Sequence, residues 1–165
     1  EALLLSQSRV HSMAMVHEKL YQSADLAHIE MKSYVEDMVE ELHNLYRSDV
    51  DIEIDLQIGD ISLAITQAVP LALLLNELVT NTFLHAFDKQ AHGELQIYLS
   101  GEGAEQSTLI VQDNGKGFNR ASVADERHSL GLQLIEILSE QLHGQAEFSD
   151  DSGTRFTLRF PLNSP

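Results

Sequence analysis

The amino-acid sequence predicts a mixed α/β fold with a long helix in front of it. Two changes in the spacing of apolar residues support this prediction. Through Leu45, apolar residues recur every three or four positions, which is the period of amphipathic helices. From Val50 the period changes to two, the period of a strand, and helical and strand-like segments then alternate. One compact core is expected, because 165 residues hold one ordinary domain and a short extension.

The N-terminal part of the chain is interpreted as two helices. The first covers residues 2–22, and its spacing is typical of the seam of a coiled coil or helix bundle. The second begins after a short link and ends near Tyr46. The residues of the two seams are Leu3, Ser6, Val10, Met13, His17, Leu20 and Ala24, then Met31, Val35, Met38, Leu42 and Leu45.

Strands and helices alternate in the rest of the chain. Val50–Ile58 predicts a half-buried strand, and Pro70 is expected in the first turn of an apolar helix that runs from Leu71 to Phe87. Ser129 is a candidate N-cap for a later helix that stops at His143-Gly144. The remaining predictions are two strand pairs, Leu95–Leu99 with Leu109–Gln112 and Ala146–Ser149 with Arg155–Phe160, and a helix over Leu130–Leu142.

Charge and composition exclude several classes of function. A formal net charge of -16 opposes nucleic-acid backbones and anionic lipid, so neither is expected as a partner. The absence of cysteine excludes disulfides and thiolate metal sites, and it fits a cytoplasmic location. The longest apolar stretch, Val69–Leu75, is far shorter than the roughly 20 residues of a membrane span.

Three polar residues interrupt the apolar helix and are the first candidate site. Glu77 and Asn81 are four residues apart, so they project from one helical face, with Asn76 beside them. A carboxylate and a carboxamide are ligands that Mg²⁺ accepts beside phosphate oxygens and water. The alternative is a solvated stripe on a half-buried helix.

A glycine-rich turn after a strand is the second candidate. In Asp113-Asn114-Gly115-Lys116-Gly117 the glycines allow close approach of the backbone to a flat ligand, and Asp113 offers an acceptor to an exocyclic amine. An ordinary turn is the alternative. Gly131 lies near the start of a later helix, whose free amides are suited to phosphate.

The order and spacing of four segments resemble the ATP-site boxes of sensor histidine kinases. The four segments are Asn76-Glu77-Leu78-Val79-Thr80-Asn81, Asp113-Asn114-Gly115-Lys116-Gly117-Phe118, Ser129-Leu130-Gly131-Leu132-Gln133-Leu134-Ile135 and Gly153-Thr154-Arg155-Phe156. The resemblance implies a two-layer α/β sandwich with a mixed sheet. This is the Bergerat fold of gyrase, the large heat-shock chaperone ATPases, histidine kinases and MutL.

The resemblance also implies roles for individual residues. Asn81 is expected to coordinate Mg²⁺, and Glu77 to orient water or phosphate as the catalytic carboxylate. Asp113 is expected to accept a hydrogen bond from the adenine amine. The other implied ATP contacts are made by Gly115, Gly117, Gly131 and Thr154, under a lid formed by residues 118–128.

The first helix resembles the second dimerisation helix of a histidine kinase class that often follows PAS or photosensory modules. On this basis residues 1–25 are part of a dimerisation and phosphotransfer domain, and residues 29–165 are the ATP-binding catalytic domain. The expected phosphoacceptor histidine belongs to a preceding helix, so the expected activity is that of a protein-histidine kinase fragment. The implied partners are the chain's own dimerisation helices, a response regulator and, in the full-length protein, a second copy. His17 lies on the helical seam, where a structural role is favoured over that of phosphoacceptor.

One departure from the family pattern leaves the function open. Leu84 stands where the family commonly has a lysine that reaches the phosphates. The leading hypothesis is transfer of the ATP γ-phosphate to a histidine, and the alternative is a catalytically weak nucleotide-binding regulatory module. An ATPase clamp of the gyrase or MutL type is disfavoured, because the first helix resembles a kinase dimer helix.

Overall fold

A computed structural model describes residues 10, 14–15, 18, 28–46, 50–87, 92–102, 105–117, 130–150 and 152–162. Its main body is a layer of helices on a five-stranded sheet. The helices are α1 (Met31–Leu45), α2 (Ile65–Asn81) and α3 (Leu130–Gln141). The described residues of the first predicted helix, Val10, Ala14, Met15 and Glu18, are helical, and the others lie outside the described residues. None of the described helices is long and apolar enough to span a bilayer.

The sheet is mixed, as the sequence predicts. Its strands, in spatial order, are β2 (Asp51–Ile58), β4 (His92–Glu102), β5 (Gln106–Asp113), β7 (Arg155–Pro161) and β6 (Gln145–Ser149). β2 and β4 pair in parallel, and the other neighbours are antiparallel. The parallel pair is possible because α2 lies between the two strands in sequence and provides the crossover connection. A separate ribbon pairs β1 (His28–Glu30) with β3 (Ser62–Ala64), and the sequence analysis missed both strands.

Alternation of apolar and polar side chains, clearest in β4 and β7, gives the sheet one apolar and one more polar face. Leu95, Ile97 and Leu99 of β4 are buried against the helices, whereas Gln96 and Tyr98 point to the other face. The same alternation in β5 and β7 buries Leu109, Val111, Phe156, Leu158 and Phe160. Apolar side chains of α1, α2 and α3 cover this face and complete the core.

The predicted start of α2 is wrong. The helix begins at Ile65, and Pro70 lies inside it, in the second turn. A proline there leaves the carbonyl of Thr66 without its usual helical donor. Tertiary contacts hold the first turn in place: Ala68 is fully buried, and the Gln67 amide donates to the Pro161 carbonyl at 2.8 Å.

The C-terminal end of this helix is also different from the prediction. The α-helix stops at Asn81, and the chain continues as a π-helical turn over Thr82–Ala86. Phe87 follows the turn and packs on Gly93 of β4, where an added Cβ would lie 2.8 Å from the ring. Single π-helical turns are rare and are frequently found at functional sites.

The loop after α3 and the turn between β6 and β7 lie where the sequence predicts them. The helix ends where expected, although His143 rather than Gly144 adopts the left-handed conformation, with φ of 52°. Gly144 N–H then donates to the Ser139 carbonyl at 2.9 Å, which closes the helix. The β6–β7 hairpin likewise turns through residues of positive φ, Ser152 and Gly153.

Candidate functional site

The polar residues of α2 are buried. Asn76 is 2% exposed and Glu77 is 3% exposed, so the alternative of a solvated stripe is wrong for both. Glu77 and the half-buried Asn81 point toward the start of α3. A Cβ added to Gly131 would lie 3.1 Å from Glu77 Oε2 and 3.8 Å from Asn81 Nδ2. The three residues therefore meet at one place, as the resemblance implies.

Asp113 is the second buried carboxylate of the site, at 5% exposure. It ends β5, where it pairs with Leu95 and so faces the helices rather than the outer side of the sheet. Its Oδ1 accepts from the backbone N–H of Gly115 at 2.9 Å and of Thr154 at 3.2 Å. The bonds to Oδ1 are those of an ordinary turn. The second oxygen, Oδ2, accepts a hydrogen bond only from the Thr82 hydroxyl within the described residues, at 3.4 Å.

The π-helical turn joins the Asp113 side of the site to the Asn81 side. The Ala86 carbonyl at its end accepts from Lys116 N–H at 2.9 Å. Gly115 passes so close to Ala86 that an added Cβ would overlap the Ala86 backbone. The glycine-rich loop is thus packed against the turn that begins next to Asn81, which brings the two halves of the site together.

The strand β7 closes the site from its other side. Thr154 precedes this strand, and its backbone makes two hydrogen bonds with Asp113: its carbonyl accepts from Asp113 N–H at 2.9 Å, and its N–H donates to the Asp113 side-chain carboxylate. Gly153, with φ of 130°, lies against the Asp113 backbone with no room for a Cβ. Gly117, with φ of 78°, stands beside Asp150 at the margin of the site.

The structure therefore brings the predicted residues together around the junction of α2, α3 and the end of β5. Their functional roles remain predictions. The expected lid residues 118–128 lie outside the described residues, as does His17. The side chain of Leu84 is half-buried, and that of His85 is exposed.

Sequence reasoning missed Thr82, which is 5% exposed and contacts the candidate ligand-binding carboxylate. Its position directly after Asn81 was a possible signal. Periodicity alone, however, places position 82 on a helix and does not reveal the π-helical turn that aims it at β5.

A family model described as the histidine kinase-, DNA gyrase B- and HSP90-like ATPase matches residues 66–164 of the chain. The chain belongs to this family. A second family model, described as histidine kinase, matches residues 1–46. The predicted resemblance to the ATP-binding domains of sensor histidine kinases is confirmed, as is the Bergerat-type fold.

Two sequence relatives agree with membership of this ATPase family. The sensor histidine kinase PdtaS of Mycobacterium tuberculosis is 30% identical over 98% of this chain. The blue-light-activated histidine kinase 2 of Erythrobacter litoralis is 26% identical over 68% of it. The chain spans 33% of the length of each of these relatives.

The fold is also that of solved histidine kinase domains. The histidine kinase domain of the Erythrobacter litoralis EL346 blue-light activated kinase superposes with a TM-score of 0.84 at 21% identity, covering 94% of this chain and 74% of that one. The Acinetobacter baumannii histidine kinase AdeS gives 0.66 at 17% identity, covering 94% and 77%. These likenesses confirm the two-layer α/β sandwich.

Proposed function

We propose that the chain is the ATP-binding catalytic part of a sensor histidine kinase, which binds Mg-ATP and positions its γ-phosphate for transfer to a histidine. The observation that carries the proposal is the convergence of two separate buried groups on one site: Glu77 with Asn81 at Gly131, and Asp113 on its clamped loop. Carboxylates are rarely buried unless they are paired or belong to a functional site. Here Glu77 lies close to the backbone of α3, and Asp113 lies close to the backbone of the glycine-rich loop.

The donor set fits Mg²⁺ and an adenine nucleotide. Glu77 and Asn81 offer hard oxygen atoms beside a glycine that leaves space for phosphate. Asp113 keeps acceptor capacity on Oδ2, which suits an N–H donor such as the adenine amine. Mg²⁺ bound by Asn81 would neutralise charge on the phosphates, and the chain otherwise contributes position and backbone donors.

In the proposed reaction the lone pair of a neutral imidazole nitrogen on the acceptor histidine forms a P–N bond, the bond between Pγ and the β,γ-bridging oxygen of ATP breaks, and ADP leaves with that oxygen. Glu77 is proposed to orient water or phosphate near the metal, and backbone at Gly131 to approach the phosphates. The proposed acceptor lies on a helical dimerisation domain. Residues 1–25 are proposed as part of that domain, and a response regulator and a second copy of the full-length protein as partners.

Calorimetric titration with ATP and ADP, each with and without Mg²⁺, tests the binding part of the proposal. We expect binding of both nucleotides, with a stronger contribution from Mg²⁺ for ATP. Absence of ATP binding at millimolar concentration would refute the proposed function. A phosphotransfer assay on the full-length protein, followed as acid-labile label from γ-labelled ATP, tests the chemical part.

A nucleotide-responsive regulatory module of low catalytic activity is the second candidate, and Leu84 favours it. Leu84 is half-buried on the π-helical turn and provides no cation where the family resemblance implies one. This candidate predicts normal ATP and ADP binding with little phosphotransfer by the full-length protein. The two assays together therefore distinguish the candidates.

A further inference from the structure

We infer that Thr82 is a positioning residue that orients Asp113 and, through it, sets a preference for purines with a 6-amino group. The inference rests on the proposed nucleotide-binding function and deepens it. It starts from one contact, in which the Thr82 hydroxyl donates to Asp113 Oδ2 at 3.4 Å between two buried side chains.

The two oxygen atoms of Asp113 have different surroundings. Oδ1 is committed to the backbone N–H groups of Gly115 and Thr154. Oδ2 has only the Thr82 hydroxyl among the described residues, and 3.4 Å is longer than the about 2.7–2.8 Å typical of such bonds. A carboxylate oxygen accepts about two donors, so Oδ2 has capacity for one from a ligand.

Thr82 and Asp113 together form an edge of the site that offers only hydrogen-bond acceptors. An ionised carboxylate cannot donate, and a hydroxyl that gives its proton to that carboxylate presents only lone pairs to other groups. An exocyclic amine satisfies such an edge, whereas a 6-oxo group places its own acceptor against it and leaves both unpaired. A site built to bond one group rejects an analogue that lacks it far more strongly than an apolar pocket does.

The position of Thr82 in the chain gives it a second effect. Thr82 follows Asn81 directly, so the residue proposed to hold the metal and the residue that orients Asp113 are joined by one peptide bond. The π-helical turn that begins at Thr82 is fixed at its other end by the Ala86 carbonyl, which accepts from Lys116 N–H. The turn therefore connects the proposed base and phosphate ends of the site directly.

The experiment compares ADP with inosine diphosphate, in which an oxo group replaces the 6-amino group. Calorimetry on the chain and on Thr82→Val, which keeps the side-chain shape and removes the hydroxyl, measures the preference. We expect Thr82→Val to weaken ADP about three- to tenfold, the range for one hydrogen bond, and to leave inosine diphosphate nearly unchanged. Thr82→Ser keeps a hydroxyl and should bind ADP as the parent does.

Thr80→Val is the matched control. Thr80 is a buried threonine two residues before Thr82, at the end of α2, with 2% exposure, and its Oγ1 has no hydrogen-bond partner within the described part of the chain. Its replacement should keep the preference for ADP. The double variant Thr82→Val with Asp113→Ala should bind no more weakly than Asp113→Ala alone, because Thr82 acts through Asp113.

The outcomes separate the two claims. If the parent chain binds no adenine nucleotide, the proposed function fails. If the parent prefers ADP and Thr82→Val keeps the same preference, or if Thr80→Val changes it equally, the role of Thr82 is refuted while nucleotide binding stands. The melting temperature of each variant shows whether a loss of binding is caused by unfolding. If Thr82→Val is unfolded, Thr82→Ser provides the test. Loss of the ADP preference in a folded Thr82→Ser variant would refute the role of Thr82.

Discussion

At the scale of single residues, Asn81 tests the proposed metal site. Its carboxamide lies with Glu77 at Gly131 and is proposed to supply a ligand oxygen for Mg²⁺. In Asn81→Ala we expect Mg²⁺ to lose most of its effect on ATP affinity, while the Mg²⁺-free affinity stays close to that of the parent. Titrations with and without Mg²⁺ measure this. A variant that keeps the full Mg²⁺ effect would place the metal on other residues.

Asp113 is expected to have separable structural and ligand-binding roles. Asp113→Asn can retain Oδ1 as acceptor for Gly115 and Thr154, but an NH₂ donor replaces Oδ2. We therefore expect a near-parental melting temperature with weaker binding of ATP and ADP alike, because the base is common to both.

Asp113→Ala is the companion variant. It leaves two half-buried N–H groups without an acceptor and should lower stability by at most about 1–3 kcal/mol for each, in addition to the loss of binding. Calorimetry and thermal melts measure both variants. If Asp113→Asn bound ADP like the parent, the assignment of the base site would be wrong.

Leu84 tests the missing cation. Its half-buried position on the π-helical turn allows a lysine stem to pack while the ammonium reaches solvent or phosphate. We expect Leu84→Lys to tighten ATP and to change ADP little, since only ATP carries the γ-phosphate. A charge-assisted contact of this kind is worth up to about 1.5–3 kcal/mol, and a lid cation that already compensates would reduce the gain.

Leu84→Met provides the control for packing. It keeps an apolar side chain of similar volume and should leave both affinities unchanged. A lower melting temperature for Leu84→Lys without selective tightening of ATP would show that Leu84 only packs against the core.

At the scale of elements, the start of α3 should show opposite effects on stability and binding. Alanine is favoured over glycine within a helix by about 0.8–1 kcal/mol, so Gly131→Ala is expected to leave the melting temperature unchanged or raise it. The added Cβ would lie 3.1 Å from Glu77 Oε2 and narrow the space between α2 and α3. We therefore expect weaker ATP binding from a protein that is no less stable.

Glu136→Ala, at an exposed position of the same helix, is the control and should bind ATP as the parent does. Melting and titration of the two variants side by side give the comparison. Parental ATP affinity in Gly131→Ala would show that the phosphates do not approach this backbone.

The elements also show where sequence reasoning stops. The strand β2 could be predicted from its alternating apolar and polar residues, because one face of the strand is half-buried and the other is mostly exposed. The start of α2 could not, since Pro70 is typical of a first turn and tertiary contacts, among them that of Gln67 with Pro161, extend the helix backward. The contact of Thr82 with Asp113 was equally hidden, because it joins residues that are close only in the folded chain.

At the scale of the whole molecule, ligand binding and folding should be coupled. The site is assembled from α2, α3 and the ends of β5 and β7, so the unfolded chain does not retain it. A ligand that binds only the folded state stabilises it by about 2.7 kcal/mol at a concentration of 100 times its Kd. We expect Mg-ATP to raise the melting temperature, with CTP at the same concentration as the control. An unchanged melt at saturating ATP would contradict the proposed site.

The mixed α/β class and the pairing of neighbouring strands could be predicted, because both follow from local periodicity and short turns. The order of the whole sheet required the structure. β2 lies beside β4 across a helical crossover, and β7 lies between β5 and β6, and no local pattern encodes either arrangement. The family resemblance, rather than the spacing of apolar residues, supplied the two-layer architecture.

The pairing of Leu95 with Asp113 makes the chemistry of the site depend on the register of β5 against β4. A slip of one residue in β5 would turn Asp113 outward and present the carboxamide of Gln112 to the helices. The same slip would expose Leu109 and Val111, which are buried at 0% and 4% exposure. The burial of these apolar residues, which have no role in ligand recognition, therefore disfavours the slipped register and keeps Asp113 facing the site. Evolution can exchange these residues for other apolar ones, but the apolar residues must stay an even number of positions from Asp113 along the strand.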